Sequence, residues 1–255
     1  MNNAPLRLIQ ITDCHLPPVA EAHVRGYNVD QRLRDVVTQA EGGFDHLLLT
    51  GDLTDPACES SYTRLLDASA HLATYCHWIP GNHDDRELMA QLKPDQVAIV
   101  DAGNWAIVLL DSTFEADGKG SGSLNEETLQ QLSQLQQLAA EHILIVMHHP
   151  AFNTDSAWQD AIKLGNSASF WQALTHCDKV RGVVCGHLHQ AQDQMVGSVR
   201  VLATPAVAPQ FKVAQSTFTL EDNPELMGPA YRTFELYPSG RFDTQLHRIP
   251  GCSAG

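Results

Sequence analysis

Leu6-Arg-Leu-Ile-Gln-Ile11-Thr-Asp13-Cys-His15 opens as a mostly apolar run and closes on a carboxylate and an imidazole. Leu6–Ile11 reads as a buried strand, and the polar pair falls where the strand gives way to a loop. The same arrangement recurs down the chain. Phe44–Thr50 leads into Gly51-Asp52, and Cys76–Ile79 leads into Gly81-Asn-His-Asp84. Ile143–Met147 leads into His148-His149-Pro150, and Val180–Cys185 into Gly186-His-Leu-His189. In open α/β sheets, ligands bind outside the carboxyl ends of the strands. These separate segments are therefore expected to converge on one edge.

Between them, Val29–Ala40 and Glu59–Ala73 carry helical spacing, so the first part predicts βαβ units with parallel pairing. Val97–Val100 and Trp105–Asp111 read as strands of a second sheet. Asn125–Glu141 is the clearest amphipathic helix, and Ala168–Thr175 is another helix. Val199–Ala203 and Ser216–Leu220 are strand candidates. Tyr231–Tyr237, the turn at Pro238-Ser-Gly240 and Phe242–His247 form a hairpin, within residues 230–249. Parallel units and late hairpins together call for mixed sheets. An α/β sandwich of two sheets with helices outside holds both. No repeat, low-complexity tract or linker divides the chain, so residues 1–255 are expected to form one domain.

With 43% hydrophobic and 18% charged residues, the chain has the composition of a globular protein with a substantial core. A formal net charge of −14 argues against broad binding of nucleic acid or anionic membranes. Bound divalent cations would reverse that field locally, so an anionic ligand is still admitted. The six cysteines are scattered without a Cys-x-x-Cys pair, which predicts reduced thiols rather than a disulfide scaffold or zinc ribbon. The N-terminus enters a strand without a signal-peptide core, and no apolar run approaches a membrane span. A cytoplasmic protein is expected.

The motifs supply the donors that hold a pair of divalent metals over a phosphate ester. Asp13 and His15 are alternate residues, which an extended segment would point to one side. Asp52 follows a glycine that permits close backbone approach, and its two oxygens can bridge two cations. Asn82 offers a neutral carbonyl oxygen. His83 is left to face the substrate, as a stabiliser of phosphate charge or a proton donor to the leaving oxygen. Asp84 or Asp85 is expected to orient that imidazole. His148 ends an apolar strand and His149 would point the other way, in a supporting or structural place, although the pair leaves open which imidazole coordinates. His187 and His189 repeat the alternate spacing. Oxygen and nitrogen donors of this kind suit iron or manganese, and also zinc. The expected chemistry is in-line attack on phosphorus by a metal-bridging hydroxide.

These blocks resemble the signature of the calcineurin-like metallophosphoesterase superfamily: Asp-x-His, Gly-Asp, Gly-Asn-His-Asp/Glu, His, then Gly-His-x-His. The resemblance implies a four-layer αββα sandwich with a binuclear metal site. It implies one metal held by Asp13, His15, Asp52 and His189, and a second held by Asp52, Asn82, His148 and His187. Substrate contacts would come from His15, Asp52, Asn82, His83 and His189, with Asp52 and His83 as the catalytic pair. Finer likeness is to the class III cyclic-nucleotide phosphodiesterases, including the bacterial 3′,5′-cyclic-AMP enzymes. It is carried by Ile9–Leu16, by Leu202-Ala-Thr-Pro-Ala-Val-Ala-Pro-Gln-Phe211, and by Tyr231–Leu236 through His247-Arg248. It implies hydrolysis of 3′,5′-cyclic AMP to 5′-AMP, and it admits a homo-oligomer for which the C-terminal hairpin offers a contact. A broader phosphodiesterase, for glycerophosphodiesters or other nucleotide esters, is the alternative. A non-catalytic scaffold on the same fold is a further one. The chain departs from the family at Ala151, where a second proline is common. The segment Asn153–Asn166 that follows is expected to shape the substrate pocket.

Overall fold

The computed structural model describes residues 4–94 and 96–250. The first strands and helices are β1 (Leu6–Ile11), β2 (His23–Val24), β3 (Tyr27–Asn28), α1 (Val29–Gln39), β4 (Phe44–Thr50), α2 (Glu59–Ser69), β5 (Ala73–Ile79) and α3 (Arg86–Leu92). Then follow β6 (Ile99–Ala102), β7 (Trp105–Leu109), α4 (Glu126–Ser133), β8 (His142–Val146), α5 (Ala157–Asp160), α6 (Ser167–Ala173) and β9 (Val180–Cys185). The chain ends with β10 (Gln192–Val196), β11 (Val199–Ala203), β12 (Ala230–Leu236) and β13 (Phe242–Arg248).

One sheet has the order β13-β12-β1-β4-β5 and the other β10-β11-β9-β8-β7-β6. In the first, β1, β4 and β5 run parallel, while β12 and β13 add antiparallel. In the second, β11, β9, β8 and β7 are parallel and each edge strand is antiparallel. Both sheets are mixed, as expected.

Period-two patterning assigns the layers. Along β8, Leu144 and Val146 face the space between the sheets, whereas Ile143 and Ile145 face the helices. Along β4, Leu48 faces inward and Leu47 and Leu49 face outward. The intersheet core joins Leu8, Leu48 and Phe234 to Ile107, Leu144 and Val184. Outside the first sheet, Leu33, Val36, Tyr62, Leu65 and Met89 bring α1, α2 and α3 onto Ile9 and Leu49. Outside the second, Leu132 and Phe170 bring α4 and α6 onto Ile143 and Val183. The result is a four-layer αββα sandwich.

Several boundaries differ from the sequence reading. The helix expected over Asn125–Glu141 ends at Ser133, and only the 3₁₀ turn Leu135–Gln137 continues it. The Asn104 carbonyl accepts hydrogen bonds from the N–H groups of Glu141 and His142, which draws the chain into β8. The second helix stops at Ser69, and β5 claims Ala73 through pairing with Phe44. Ser216–Leu220 is not a strand; only Leu220 bridges to Phe211. The free side of β11 is taken by β10, which sequence patterning did not single out. Among the described residues no helix is long and apolar enough to cross a membrane. Cys14, Cys58, Cys76, Cys177 and Cys185 are free thiols, and Cys252 lies outside the described residues.

Candidate metal centre

All five motifs meet at one edge of the sandwich. Asp13 and His15 follow β1, Asp52 follows β4, and Asn82 and His83 follow β5, all from the first sheet. His148 follows β8, and His187 and His189 follow β9, from the second. The first and second sheets are stitched together here by Asp13, whose carboxylate accepts the His187 backbone N–H at 2.9 Å.

The alternate-residue argument for Asp13 and His15 needs correction, because neither residue is extended. Asp13, His15, Asp52, His187 and His189 all have left-handed φ, of 52°, 45°, 49°, 69° and 51°. Each such non-glycine residue costs about 1–2 kcal/mol. Five of them together rival the net stability of a whole domain, about 5–15 kcal/mol. Strain concentrated this way marks a functional site. Glycine is required where the turns touch: a Cβ on Gly81 would collide with Asp52, and one on Gly186 with Thr12 and Asp13.

Three of the imidazoles are pinned through one nitrogen, leaving the other for the centre, and His15 turns its Nδ1 toward Asp55 at 3.6 Å. His148 Nδ1 lies 2.8 Å from the Thr50 carbonyl, His189 Nδ1 2.7 Å from that of Pro209, and His187 Nε2 3.1 Å from that of Ile162. A ring nitrogen facing a carbonyl must donate, so the other nitrogen of a neutral ring carries the lone pair. Those free nitrogens then face one another. His15 Nε2 lies 3.2 Å from His189 Nε2, and His148 Nε2 lies 3.2 Å from His187 Nδ1. Two nitrogens bound to one ion at about 2.0–2.1 Å, with a near-right angle between them, would lie about 3 Å apart.

Asp52 sits between the two pairs. Its Oδ2 is 3.4 Å from His148 Nε2 and 3.7 Å from His15 Nε2, while Oδ1 accepts the His83 backbone N–H at 2.9 Å. Asp13 Oδ1 is 3.3 Å from His189 Nε2. Asn82 Oδ1 is enclosed and has no hydrogen-bond partner among the described residues. Leaving such an acceptor unpaired costs about 1–3 kcal/mol, and a cation would remove that cost. The residues therefore fit a pair of ions. Two candidate donor sets can be drawn, one from Asp13, His15, Asp52 and His189 and the other from Asp52, Asn82, His148 and His187. Cys14 is buried in the core outside the first sheet, so it is not a donor.

The electrostatics agree. Burial opposes ionisation of Asp52, yet His148 beside it holds its carboxyl well below the usual range. Burial also works against a charged His148, but Asp52 overrides it and raises its pKa to about 9. That coupling is a demand for positive charge at Asp52, which a bound cation meets. Burial, with His148 adding to it, pushes His187 down to about 3 and keeps the ring neutral, the form that ligates. His149 lies close enough to His148 and His187 to be a third donor. Both its nitrogens are engaged, however, with Ser112 Oγ at 2.8 Å and the Gly120 carbonyl at 3.1 Å. Those two contacts hold the ring beside the centre and leave His148 as the imidazole of the pair with a nitrogen facing Asp52.

Neither Asp84 nor Asp85 orients His83. Asp84 accepts from the backbone of Gly81 and Leu53 and from the Tyr62 hydroxyl, and Asp85 caps α3. Burial, with Asp52 nearby, raises Asp84 to about 7. The orienting carboxylate is Asp55, which sequence reasoning missed. Its Oδ2 lies 3.2 Å from His83 Nδ1 and 3.6 Å from His15 Nδ1. The only hint was its position three residues after Asp52. The expected substrate contacts, His15, Asp52, Asn82, His83 and His189, all line one cleft of about 210 Å³.

The fold and this paired donor set define a dinuclear phosphoesterase centre. Residues 6–191 match the calcineurin-like phosphoesterase family, and the chain belongs to that family. The chain is 34% identical to the 3′,5′-cyclic adenosine monophosphate phosphodiesterase CpdA of Vibrio vulnificus, over 96% of this chain and 90% of that one. It is 31% identical to the CpdA of Escherichia coli strain K12, over 96% and 90% of the two chains. A dimetal phosphatase of Danio rerio superposes with a TM-score of 0.70, covering 91% of this chain and 93% of that one. At 16% identity that likeness concerns the fold alone.

Proposed function

We propose that this chain is a metal-dependent phosphodiesterase that opens the 3′ ester of 3′,5′-cyclic AMP to give 5′-AMP. The observation that carries the hydrolase reading is the pair of facing nitrogen sets sharing Asp52 Oδ2, with Asn82 Oδ1 unpaired beside them. The substrate is supported by relatives named cyclic AMP phosphodiesterases over nearly the full chain.

When bound, the two ions supply Lewis-acid polarisation of the phosphoryl group and activation of water. Asp52 holds both donor sets at one spacing. His83, 40% exposed and lining the cleft, gives its proton to the leaving 3′ oxygen. Asp55 holds His83 through Nδ1, so that Nε2 is the proton-transferring atom. The remaining donors are imidazole, carboxylate and amide, for which iron or manganese is the proposed pair, with zinc admitted by the same ligands. Free thiols at the described cysteines support a reducing cytoplasm as the working compartment.

Turnover of cyclic AMP should be compared with that of bis(4-nitrophenyl) phosphate and a phosphomonoester, using fully metallated protein. Cyclic AMP is expected to give the highest kcat/KM. Negligible hydrolysis of it, with good turnover of the aryl diester, would replace this reading with a broader phosphodiesterase.

A further inference from the structure

One part of the cleft plays no role in holding ions. Trp158, Phe211 and Phe218 pack edge to face, with ring centroids 5.6, 5.7 and 4.9 Å apart, and all three line the same cleft as His83. Phe211 lies flat on the ligand imidazole of His189, at 4.1 Å and 5° between planes. The cluster therefore begins one ring contact from the centre.

Its rings are not ordinary core. Phe218 is 44% exposed, although a ring of that size is normally buried when its role is packing. The guanidinium of Arg25 lies over the Phe218 ring at 4.7 Å. The Trp158 Nε1–H is enclosed and has no acceptor among the described residues. Indole N–H groups that are enclosed normally find a partner. Phe211 is buried, but the open face of Phe218 and the unused donor of Trp158 sit beside a phosphate-handling centre, where packing alone does not account for them.

We propose that Trp158, Phe211 and Phe218 form a subsite for the planar heterocyclic base of the ester. Aromatic side chains hold bases by stacking, which tolerates different bases because each has a π face. A ring nitrogen or carbonyl oxygen on the base supplies the acceptor that Trp158 lacks, through a small turn of the indole. An alkyl diester such as a glycerophosphodiester offers neither a flat face nor that acceptor, so the cluster selects nucleotide esters. This inference rests on the phosphodiesterase reading for its reaction, but not for its binding.

The test uses metallated protein and two pairs of probes: 5′-AMP against ribose 5-phosphate for binding, and cyclic AMP against base-free ribose 3′,5′-cyclic phosphate for turnover. Wild type is expected to bind 5′-AMP at least about ten-fold more tightly than ribose 5-phosphate. Phe218→Ala and Trp158→Ala should bring that ratio close to one. They should also lower kcat/KM for cyclic AMP about ten-fold more than for the base-free ester. Trp158→Phe, which keeps a ring and loses the donor, should retain most of the ratio. Phe218 is open enough that its removal spares the fold. Equal affinity of wild type for the two phosphates, or equal losses for both esters, overturns the subsite. A preserved preference for 5′-AMP with no ester hydrolysed supports the subsite and sinks the phosphodiesterase reading instead.

Discussion

Among the imidazoles of the cleft, His83 stands apart: its side chain is 40% exposed, whereas His148, His187 and His189 are buried. Its ring meets that of His15 edge to face at 4.9 Å, and Asp55 anchors its Nδ1 side. That separates two kinds of damage. His83→Ala is expected to leave metal content unchanged and lower kcat about 10²- to 10⁴-fold, the usual worth of a positioned proton donor. Asp52→Ala removes the carboxylate common to both donor sets, so metal and activity should be lost together. Metal analysis alongside kcat distinguishes them, and a fully active His83→Ala enzyme would remove His83 from the mechanism. Asp55→Asn keeps the shape of the side chain but not its charge. A fall of about ten-fold in kcat with metal retained is expected; an unchanged kcat would mean that Asp55 does not position His83. The motif residues were visible in sequence because each closes an apolar run. Asp55 and Phe218 were not, and Trp158 and Phe211 were visible only as members of the segments Asn153–Asn166 and Leu202–Phe211, because such roles depend on which loops meet in space and no spacing encodes that.

At the scale of elements, the strands were the most legible part, since alternating apolar faces such as Leu47–Leu48–Leu49 fix both direction and burial. Helix ends and edge strands were less so. Gln192–Val196 carries an exposed methionine and polar neighbours, and only the free side of β11 makes it a strand. A different consequence of strand pairing lies between β4 and β5. His46 Nδ1 is 2.9 Å from His77 Nε2, and His46 stacks on Tyr75 at 5.3 Å. Burial, then the neighbouring His46, pushes His77 down to about 4, and burial lowers His46 as well. A depressed folded-state pKa means that the unfolded chain binds the proton first. The stability is therefore complete above about pH 6.5, the ordinary histidine value, and is lost as pH falls toward the folded value of about 4. His77→Gln keeps a hydrogen-bonding group without this titration. The drop in Tm between pH 7 and pH 5 should be smaller in that variant than in wild type, measured by thermal scans with chelator present. Parallel Tm–pH curves would show that the pair contributes no acid sensitivity.

For the whole molecule, the centre is a clasp between two sheets whose shared core is apolar, with a few polar contacts such as Gln10 Nε2 to the Cys185 carbonyl and Arg232 to the Ala203 carbonyl. Asp13, His15, Asp52 and Asn82 belong to loops of the first sheet, and His148, His187 and His189 to loops of the second. Both donor sets draw on both sheets, so ions that bind them bind only the assembled sandwich. Binding restricted to the folded state adds stability by mass action, about 4 kcal/mol at a metal concentration a thousand-fold above Kd. For a chain of this size each kcal/mol moves Tm by about 2–4 °C. Chelation should therefore lower Tm by roughly 8–16 °C, a shift reversed by adding manganese. Asp52→Ala supplies the control, because it breaks both sets at once. Its Tm should respond to neither chelator nor metal, while His83→Ala should keep the full response. A metal response of equal size in Asp52→Ala would place the stabilising ions somewhere other than this cleft. The strained left-handed turns that carry the donors give the expectation its physical basis. Their conformational cost is borne by the sandwich at all times and is offset most fully when the ions tie the two edges together.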